Sequence, residues 1–324
     1  MRVLLLSLFL TWPAILLAET PTAAPDNAIA WLQKIATAAH ELNYSGTFIY
    51  QYGNHVETSR IVHAVDSSGE HEKLEIMDGL PREIIRNNDE VECFLPESKT
   101  VKVEKRIQRK PFPALLPEQL SNLSESYLIK LGGHERIAGF DCQALFLEPK
   151  DGLRYGHRLW AETNSGLLLK ASMLDEKNDV VEQMTFTQLS IGGPIDEELL
   201  KPKYPAKTAG WRYDRFGHPE PISTETGWSV RNPLAGFKKI METKRMVSGK
   251  PMPITHIVYS DGLAAVSVFV EPRAQGVKPL NGVSKRGALN IYTKPVDDYQ
   301  VTILGEAPPM TVLEIGNSVY YTGK

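Results

Sequence analysis

The sequence predicts a mostly β protein with some α-helix: a large antiparallel half-barrel packed on helices, followed by a smaller α+β domain. Between Asn43 and Leu189 the apolar residues alternate in short segments separated by turn residues, as in antiparallel strands. Only two stretches of this first part have a helical repeat, so few helices are available to cover the sheet. The length of 324 residues favours about two domains.

The first helix is predicted to run from Asp26 to Leu42. Pro25 and Asp26 form a start signal in which Asp26 is the N-cap. The apolar residues that follow recur at helical spacing on one face: Ile29, Leu32, Ile35, Ala36, Ala39 and Leu42. This face is expected to pack on the sheet, because an amphipathic helix buries its apolar stripe.

A meander of strands is predicted after Asn43, where the repeat changes from helical to alternating. Phe48, Tyr50 and Tyr52 define the first strand, and Gly53-Asn54 makes its turn. Similar turn residues separate the later strands, so neighbours along the chain should pair antiparallel. Those strands are predicted at Arg60–Val65, Lys73–Met77, Glu83–Arg86, Val91–Leu95 and Val101–Lys105.

The segment from Pro111 to Leu131 is predicted to form one or two short helices. Gly132-Gly133 should end them, since glycine is favoured just after a helix. An antiparallel sheet buries one face, so the two helical segments are expected to pack there and fill a half-open barrel. After the glycines, strands are predicted at Glu135–Ile137, Gln143–Leu147, His157–Glu162, Leu167–Leu174 and Val181–Leu189.

Residues 205–226 are predicted to be a linker between a domain at 19–204 and a second domain at 227–324. The linker contains three prolines and no apolar repeat. In the second domain Ser260-Asp261-Gly262-Leu263 is a hairpin signal. The other predicted elements there are strands within Trp228–Met246, a hairpin of Ala288–Thr293 with Tyr299–Leu304, and a helix at Met310–Val319.

Residues 1–18 are predicted to be a cleaved signal peptide. Arg2 gives a short positive region, an apolar run follows, and Ala18 precedes the expected cut. The alternative is a membrane anchor, but the run is interrupted by Pro13 and is shorter than the roughly 20 residues needed to span a membrane. The mature chain is therefore expected to be exported and soluble, in an oxidising compartment.

The two predicted domains differ in charge, although the whole chain has a net charge of only −3. Residues 19–204 contain 20 Lys+Arg and 29 Asp+Glu, so the first domain is acidic. Residues 227–324 contain 12 Lys+Arg and 7 Asp+Glu, so the second domain is basic. An exported chain of this charge is not expected to bind nucleic acid. The densest basic run is predicted either to contact an anionic ligand or acidic partner, or to form a solvated strand edge. Its cations are Lys99, Lys102, Lys105, Arg106, Arg109 and Lys110.

The sequence gives no motif of an enzyme, a metal site or a cofactor site. It contains no G-x-S-x-G, H-E-x-x-H, G-x-G-x-x-G, C-x-x-C or P-loop. No catalytic residue, metal ligand or cofactor is therefore predicted, and a binding protein is favoured over an enzyme.

Cys93 and Cys142 both fall in predicted strands of the first domain. In an oxidising compartment they are predicted to form a disulfide, which would close a loop of about 50 residues and stabilise the fold by up to about 4 kcal/mol. The alternative is two buried free thiols, because free cysteine is among the most buried residue types.

The segment Asp151–Trp160 has an unusual composition, with two arginines next to aromatic residues. Arg154 and Arg158 would suit cation–π contacts or salt bridges. The alternative interpretation, which is favoured, is that they only brace neighbouring strands.

Four stretches carry a resemblance to a known family: Arg136–Gly139, Glu148–Glu176, Glu182–Phe186 and Gly287–Val319. With them the sequence resembles the RseB/MucB family of periplasmic regulators of the envelope-stress (sigma-E/AlgU-type) sigma factor. Glu162 stands where the family pattern usually has Asp, which is a mild departure. The resemblance spans nearly the whole mature chain.

The resemblance implies a first domain similar to lipoprotein-carrier folds and a function without catalysis. The implied partner is the periplasmic region of a transmembrane anti-sigma factor of the RseA/MucA type. Binding would protect it from site-1 proteolysis and keep the sigma factor inactive until lipopolysaccharide or lipid releases it. The alternative is a periplasmic lipoprotein or lipid carrier. Both readings leave open whether the chain forms a homo-oligomer.

Overall fold

The structure is a computed structural model, and it describes most of the chain after residue 24. The described residues are 25–105, 111–117, 120, 122–204, 210–216, 225–231, 234–246, 252–274 and 276–323. The predicted signal peptide, residues 1–18, lies outside them. None of the helices in this described part is long and apolar enough to cross a membrane.

Helix α1 (Pro25–Glu41) confirms the first predicted helix. Leu32, Ile35 and Ala39 on its apolar face are buried. Lys34 donates to the carbonyl of Thr163 at 2.7 Å, which ties the polar side of the helix to a turn of the sheet. The helix is therefore an internal support of the first domain.

A twelve-stranded sheet dominates the described part of the first domain. Its order is β12-β6-β5-β4-β3-β2-β1-β11-β10-β9-β8-β7, and its neighbours pair antiparallel except for β12, which is parallel to β6. The strands are β1 (Tyr44–Tyr52), β2 (His55–Asp66), β3 (Gly69–Ile76), β4 (Arg82–Asn87), β5 (Glu90–Leu95), β6 (Thr100–Lys105), β7 (Tyr127–Ile137), β8 (Phe140–Pro149), β9 (Gly156–Glu162), β10 (Leu168–Leu174), β11 (Val180–Ile191) and β12 (Arg212–Phe216).

The sheet curls into the predicted half-barrel. β7 lies against β11 although β8, β9 and β10 separate the two strands in hydrogen-bonded order. The register shifts after Thr47, Leu131 and Met173, and such irregularities bend a strand and increase its twist. Helix α1 packs against β7 and β10 on this curled side. The predicted large antiparallel sheet on helices is confirmed.

Three aromatic rings mark the centre of the first core. The ring centroids of Phe48 and Phe186 lie 5.8 Å apart, and Phe112 lies 5.1 Å from each. Phe112 belongs to the segment that interrupts the strands, so this segment fills the barrel as expected.

The helices predicted from Pro111 to Leu131 are largely wrong. Only α2 (Leu123–Ser126) is α-helical there among the described residues, and Tyr127 already begins β7. Gly132 is needed for another reason than ending a helix. A Cβ at Gly132 would lie 2.7 Å from the Phe146 ring and 3.0 Å from Cβ of Ala144. Glycine therefore lets β7 approach β8 closely beside its irregular pairing.

The predicted linker contains a strand. Residues 212–216 form β12, which pairs with β6 along its full length. Trp211 and Tyr204 pack on a small core that includes Phe94 and Val101. The chain thus completes the first sheet before it enters the second domain, and the exact domain boundaries stay a prediction.

In its described residues the second domain has a six-stranded sheet, a separate two-stranded sheet of β13 and β20, and one α-helix, α3 (Pro309–Ser318). The order is β14-β15-β16-β19-β18-β17, and the predicted hairpin turn joins β15 to β16. Its strands are β13 (Trp228–Val230), β14 (Lys238–Arg245), β15 (Ile254–Ser260), β16 (Ala265–Pro272), β17 (Gly282–Arg286), β18 (Leu289–Val296), β19 (Tyr299–Gly305) and β20 (Val319–Tyr321). Strand β17 was not among the predicted strands, but the smaller α+β domain is confirmed.

Candidate binding surface at the domain seam

The loop between β8 and β9 makes the main polar contact between the domains. Asp151 Oδ1 accepts the backbone N–H of Leu153 at 3.0 Å, which forms an Asx turn. The turn places Arg154 at the boundary, where its side chain is fully buried. We call this boundary the seam.

The guanidinium of Arg154 binds two groups of the second domain and one of its own loop. Nε donates to Asp261 Oδ2 and Nη2 donates to the carbonyl of Ala235, each at 2.5 Å. Nη1 donates to Asp151 Oδ2, also at 2.5 Å. The ring of Phe237 lies 4.7 Å from the guanidinium carbon, a cation–π contact. The cation–π and salt-bridge contacts are both present and join two domains, so the favoured interpretation that this arginine only braces neighbouring strands is wrong.

The side chain of Asp261 is fully buried, and each of its two carboxylate oxygens accepts two hydrogen bonds. Its Oδ1 accepts the backbone N–H groups of Leu263 at 2.9 Å and Ala264 at 2.7 Å. Its Oδ2 accepts the Tyr127 hydroxyl at 3.3 Å in addition to Arg154. A buried carboxylate is tolerated only when it is paired and hydrogen-bonded, and this one meets both conditions.

The electrostatics of the seam keep Arg154 charged. Burial opposes the charge, but the hydrogen bonds to Asp261 and Asp151 outweigh it and raise the pKa of Arg154. Burial and the carboxylate of Asp261 raise the pKa of Tyr127, so its hydroxyl remains a donor. Burial lowers the pKa of the nearby His157 to about 4, so this imidazole is neutral at neutral pH.

The residues on either side of Arg154 also bind the second domain. Thr311 Oγ1 donates to the carbonyl of Leu153 at 2.8 Å. Asn290 Nδ2 donates to the hydroxyl of Tyr155 at 2.8 Å and to the carbonyl of Ala307 at 2.8 Å. Three consecutive residues of one loop therefore fix the second domain in one orientation.

A cleft of about 570 Å³ opens beside this loop on the first domain. It contains carboxylates and one arginine, Arg158, whose guanidinium carbon lies 5.7 Å from the Phe146 ring centroid. Phe146 on β8 is the cross-strand partner of Arg158 on β9, so this contact braces adjacent strands and is also the cation–π contact of the other interpretation. The lining residues are Phe146, Leu147, Glu148, Pro149, Asp151, Gly156, His157, Arg158, Leu174, Asp175, Glu176 and Asn178.

Comparison with known families covers both domains. The sequence model of the MucB/RseB N-terminal domain matches residues 27–204, and that of the MucB/RseB C-terminal domain matches residues 223–320. The chain belongs to the MucB/RseB family. The resemblance found in the sequence is thereby confirmed.

Members of the MucB/RseB family from two bacteria illustrate the similarity. The sigma factor AlgU regulatory protein MucB of Pseudomonas aeruginosa is 30% identical over 310 residues, which are 94% of this chain and 94% of that protein. The sigma-E factor regulatory protein RseB of Escherichia coli is 25% identical over 99% of each chain. A crystal structure of MucB in complex with MucA(peri) matches with a TM-score of 0.72 and 27% identity, covering 92% of this chain and 100% of that one.

The structure describes only part of the predicted basic run from Lys99 to Lys110. Lys99 lies in the turn before β6, and Lys102 on β6 is opposite Cys93. The outer edge of β6 is covered by β12 from Thr100 to Glu104, so this described part of the run is not the sheet edge that one interpretation assumed. A role in binding an anionic ligand or partner stays a prediction for the whole run. Lys105 ends β6, while Arg106, Arg109 and Lys110 lie outside the described residues.

The predicted disulfide between Cys93 and Cys142 is wrong in this structure. Both thiols are free, and seven strands separate β5 from β8 in the sheet order. The alternative interpretation, two free thiols, holds: Cys142 is buried and Cys93 is half-buried. Burial raises the pKa of Cys142 to about 11, which makes this thiol unreactive at neutral pH.

Sequence reasoning singled out Arg154 but missed its partners. Ala235 and Phe237 carry no signal of their own, and Asp261 looked like an ordinary turn residue. The sequence signal for Arg154 was its place beside aromatic residues in the segment Asp151–Trp160. Its partner lies 107 residues away, so only the docked domains show the pair.

Proposed function

We propose that this chain binds the periplasmic region of a transmembrane anti-sigma factor, protects it from site-1 proteolysis and so keeps a stress sigma factor inactive. The observation that carries the proposal is the match over 92% of the chain to MucB in complex with MucA(peri). Both domains are included in that match, and the seam holds them together here. A function in the periplasm agrees with the export signal expected at residues 1–18.

The charge of the second domain supports an acidic partner segment. Lys278, Lys285 and Arg286 are exposed on this domain, which has an excess of basic residues. Complementary charges speed the encounter of two proteins and disfavour wrong partners. The proposal therefore includes an acidic stretch in the partner that meets this domain.

Lipopolysaccharide or another lipid is proposed as the releasing ligand. The interior of the curled first domain is apolar and is filled in part by the Phe112 segment, which acyl chains would have to displace, and cations such as Lys102 lie on the same sheet. A ligand shifts a binding equilibrium only through its different affinities for two states. Release therefore requires that lipid and partner prefer different states of this protein.

Calorimetry tests the proposal directly. The mature chain from Glu19 is titrated with the periplasmic segment of the cognate anti-sigma factor, with and without lipopolysaccharide. Tight binding that lipopolysaccharide weakens supports the regulator and its switch, and tight binding indifferent to lipid removes the switch. Absence of partner binding with capture of lipid would instead favour a lipoprotein or lipid carrier.

The charge argument has its own control. Lys285→Glu should weaken partner binding at low salt, because it reverses an exposed cation of the second domain. Lys177→Glu reverses an exposed cation in a turn of the first domain and should change the affinity less. Equal effects of the two variants, or an affinity independent of salt, would contradict an electrostatic contact with the second domain.

A further inference from the structure

The two domains have separate apolar cores with Arg154 between them. The buried members of the first core come from residues 32–186, and those of the second core from residues 228–319. Interfaces between domains of one chain allow relative motion unless they are large and apolar. At this seam most of the described polar contacts lie on the loop around Arg154, and the Tyr127 hydroxyl of β7 adds one to Asp261. The orientation of the domains therefore depends on this loop, in which Arg154 makes two of the polar contacts to the second domain.

We infer that Arg154 and Asp261 form a latch, and that the chain alternates between the closed arrangement described here and an open one in which both charges are hydrated. In the closed state neither side chain is exposed. Burial of an ion pair removes hydration from both charges, and their attraction offsets that loss only in part. The pair thus selects one orientation of the domains while leaving opening accessible.

The second domain approaches the latch through a glycine. Gly236 has φ +79°, and a Cβ there would lie 2.4 Å from Arg154 Nη2 and 2.6 Å from Ser126 Oγ. A side chain at this position would hold Arg154 away from Ala235 and Asp261. Because Gly236 lies so close to Arg154 and Ser126, even an added methyl group at this position should favour the open arrangement.

The latch goes beyond the proposed function, because it concerns the chain without any partner. Each domain retains its own core when the seam opens, so opening is distinct from unfolding. A ligand that binds at the seam of either domain would shift the balance between closed and open states by its differential affinity. If the experiments below contradict the latch, the proposed binding of a partner is not affected, because it is tested separately.

A thiol placed at the seam measures opening in the full mature chain. Thr311 is completely buried and touches Leu153 across the seam, so Thr311→Cys gives a thiol that reacts only when the domains part. Labelling by iodoacetamide is followed for each cysteine peptide by mass spectrometry. Cys142 lies in the first core and serves as an internal reporter of unfolding, because opening of the seam should not expose it.

Arg154→Ala is expected to raise the labelling rate of the introduced thiol about tenfold or more, because it leaves Asp261 buried without its cation. The rate at Cys142 should not change. Arg158→Ala is the matched control, since Arg158 also packs on an aromatic ring but has its contact within the first domain. This control should leave both rates as in the parent.

Gly236→Ala tests the latch from the second domain without removing a charge. Its control is Gly276→Ala, because Gly276 has φ +78° but nothing within 4 Å of an added Cβ. Only Gly236→Ala should accelerate labelling at the seam.

Two outcomes of the Arg154→Ala experiment would overturn the latch. If labelling accelerates equally at Cys142, Arg154 contributes to the stability of the first domain instead. Unchanged labelling at the seam in Arg154→Ala would overturn it as well.

Discussion

Leu153 and Leu263 cross the seam in opposite directions. Leu153 belongs to the first domain but packs on the core of the second, and Leu263 of the second domain packs on the core of the first. Each leucine sits in a turn fixed by an aspartate, Asp151 or Asp261, that accepts its backbone N–H. The same two aspartates bind Arg154. The polar and apolar contacts of the seam are therefore built on the same two turns.

Removing either leucine should weaken the coupling between the domains. Leu153→Ala or Leu263→Ala is expected to lower the free energy of unfolding by about 2 kcal/mol, near the lower end for leucine truncation because both side chains are only partly buried. Calorimetric scans should show the two domains melting further apart in temperature. Leu199→Ala is a suitable control, since Leu199 is exposed, and it should leave the scan unchanged.

Acid should destabilise the first domain through Glu70. His40 Nδ1 and His63 Nε2 lie 3.2 and 3.1 Å from Glu70 Oε1. Burial alone would raise the pKa of Glu70, but these hydrogen bonds outweigh it and hold the pKa well below its usual range. A carboxylate with a lowered folded pKa stabilises the fold above its unfolded pKa, near 4.5, and loses that contribution as the pH falls.

Glu70→Gln measures this contribution. The substitution should lower the free energy of unfolding by about 1.5 kcal/mol at pH 7, the size typical of hydrogen bonds to a charged group. The difference from the parent should shrink as the pH is lowered from 5 to 3. Urea unfolding at several pH values checks it, with Glu135→Gln, an exposed position on β7, as the control. A difference that is independent of pH would contradict the role given to Glu70.

Much of the fold was predictable from the sequence because strand alternation and turn residues are local signals. The strands from β2 to β6, the hairpin at Ser260–Leu263 and α3 follow from such signals. The pairing of β1 with β11 joins residues about 140 positions apart and has no local signal. The role of Gly132 was not predictable, because a glycine that permits close strand contact looks the same in sequence as one that ends a helix. The partners of Arg154 were hidden for the same reason as the β1–β11 pair.

His256 should remain neutral well below the ordinary pKa of histidine. Its ring stacks on Phe269 with a centroid distance of 4.1 Å, and its Nε2 lies 3.1 Å from Ser267 Oγ. Burial, and then the charge of Arg245, lower its pKa to about 4. Between about pH 6.5 and 4 the unfolded chain therefore binds a proton that the folded chain does not. The free energy of unfolding decreases as the pH is lowered through this window.

Nuclear magnetic resonance of the His256 ring can follow its titration. The ring signals should stay at their neutral positions at pH 5.5. His256→Phe should flatten the fall in unfolding free energy between pH 6.5 and 4, because it removes the proton uptake of the unfolded state. A midpoint near 6.5 for this ring would contradict the burial that the structure assigns to it.

A covalent bridge across the seam can separate the latch from the proposed lipid switch. A Cβ built on Gly287 lies 3.4 Å from Cβ of Tyr52 in the other domain, close to the roughly 3.5–4.5 Å found in disulfides. Tyr52→Cys combined with Gly287→Cys should therefore form an intramolecular disulfide on oxidation. Tyr52→Cys with Gly276→Cys should not, because nothing lies within 4 Å of a Cβ at Gly276.

The oxidised bridge should hold the domains in the closed arrangement. If lipopolysaccharide releases the partner by parting the domains, the oxidised protein should keep its partner when lipopolysaccharide is added, while the reduced protein releases it. Pull-down of the anti-sigma segment with and without reductant makes this comparison on one preparation. Equal release from the oxidised and reduced proteins would show that lipid acts within one domain, because a closed seam would then make no difference to the partner.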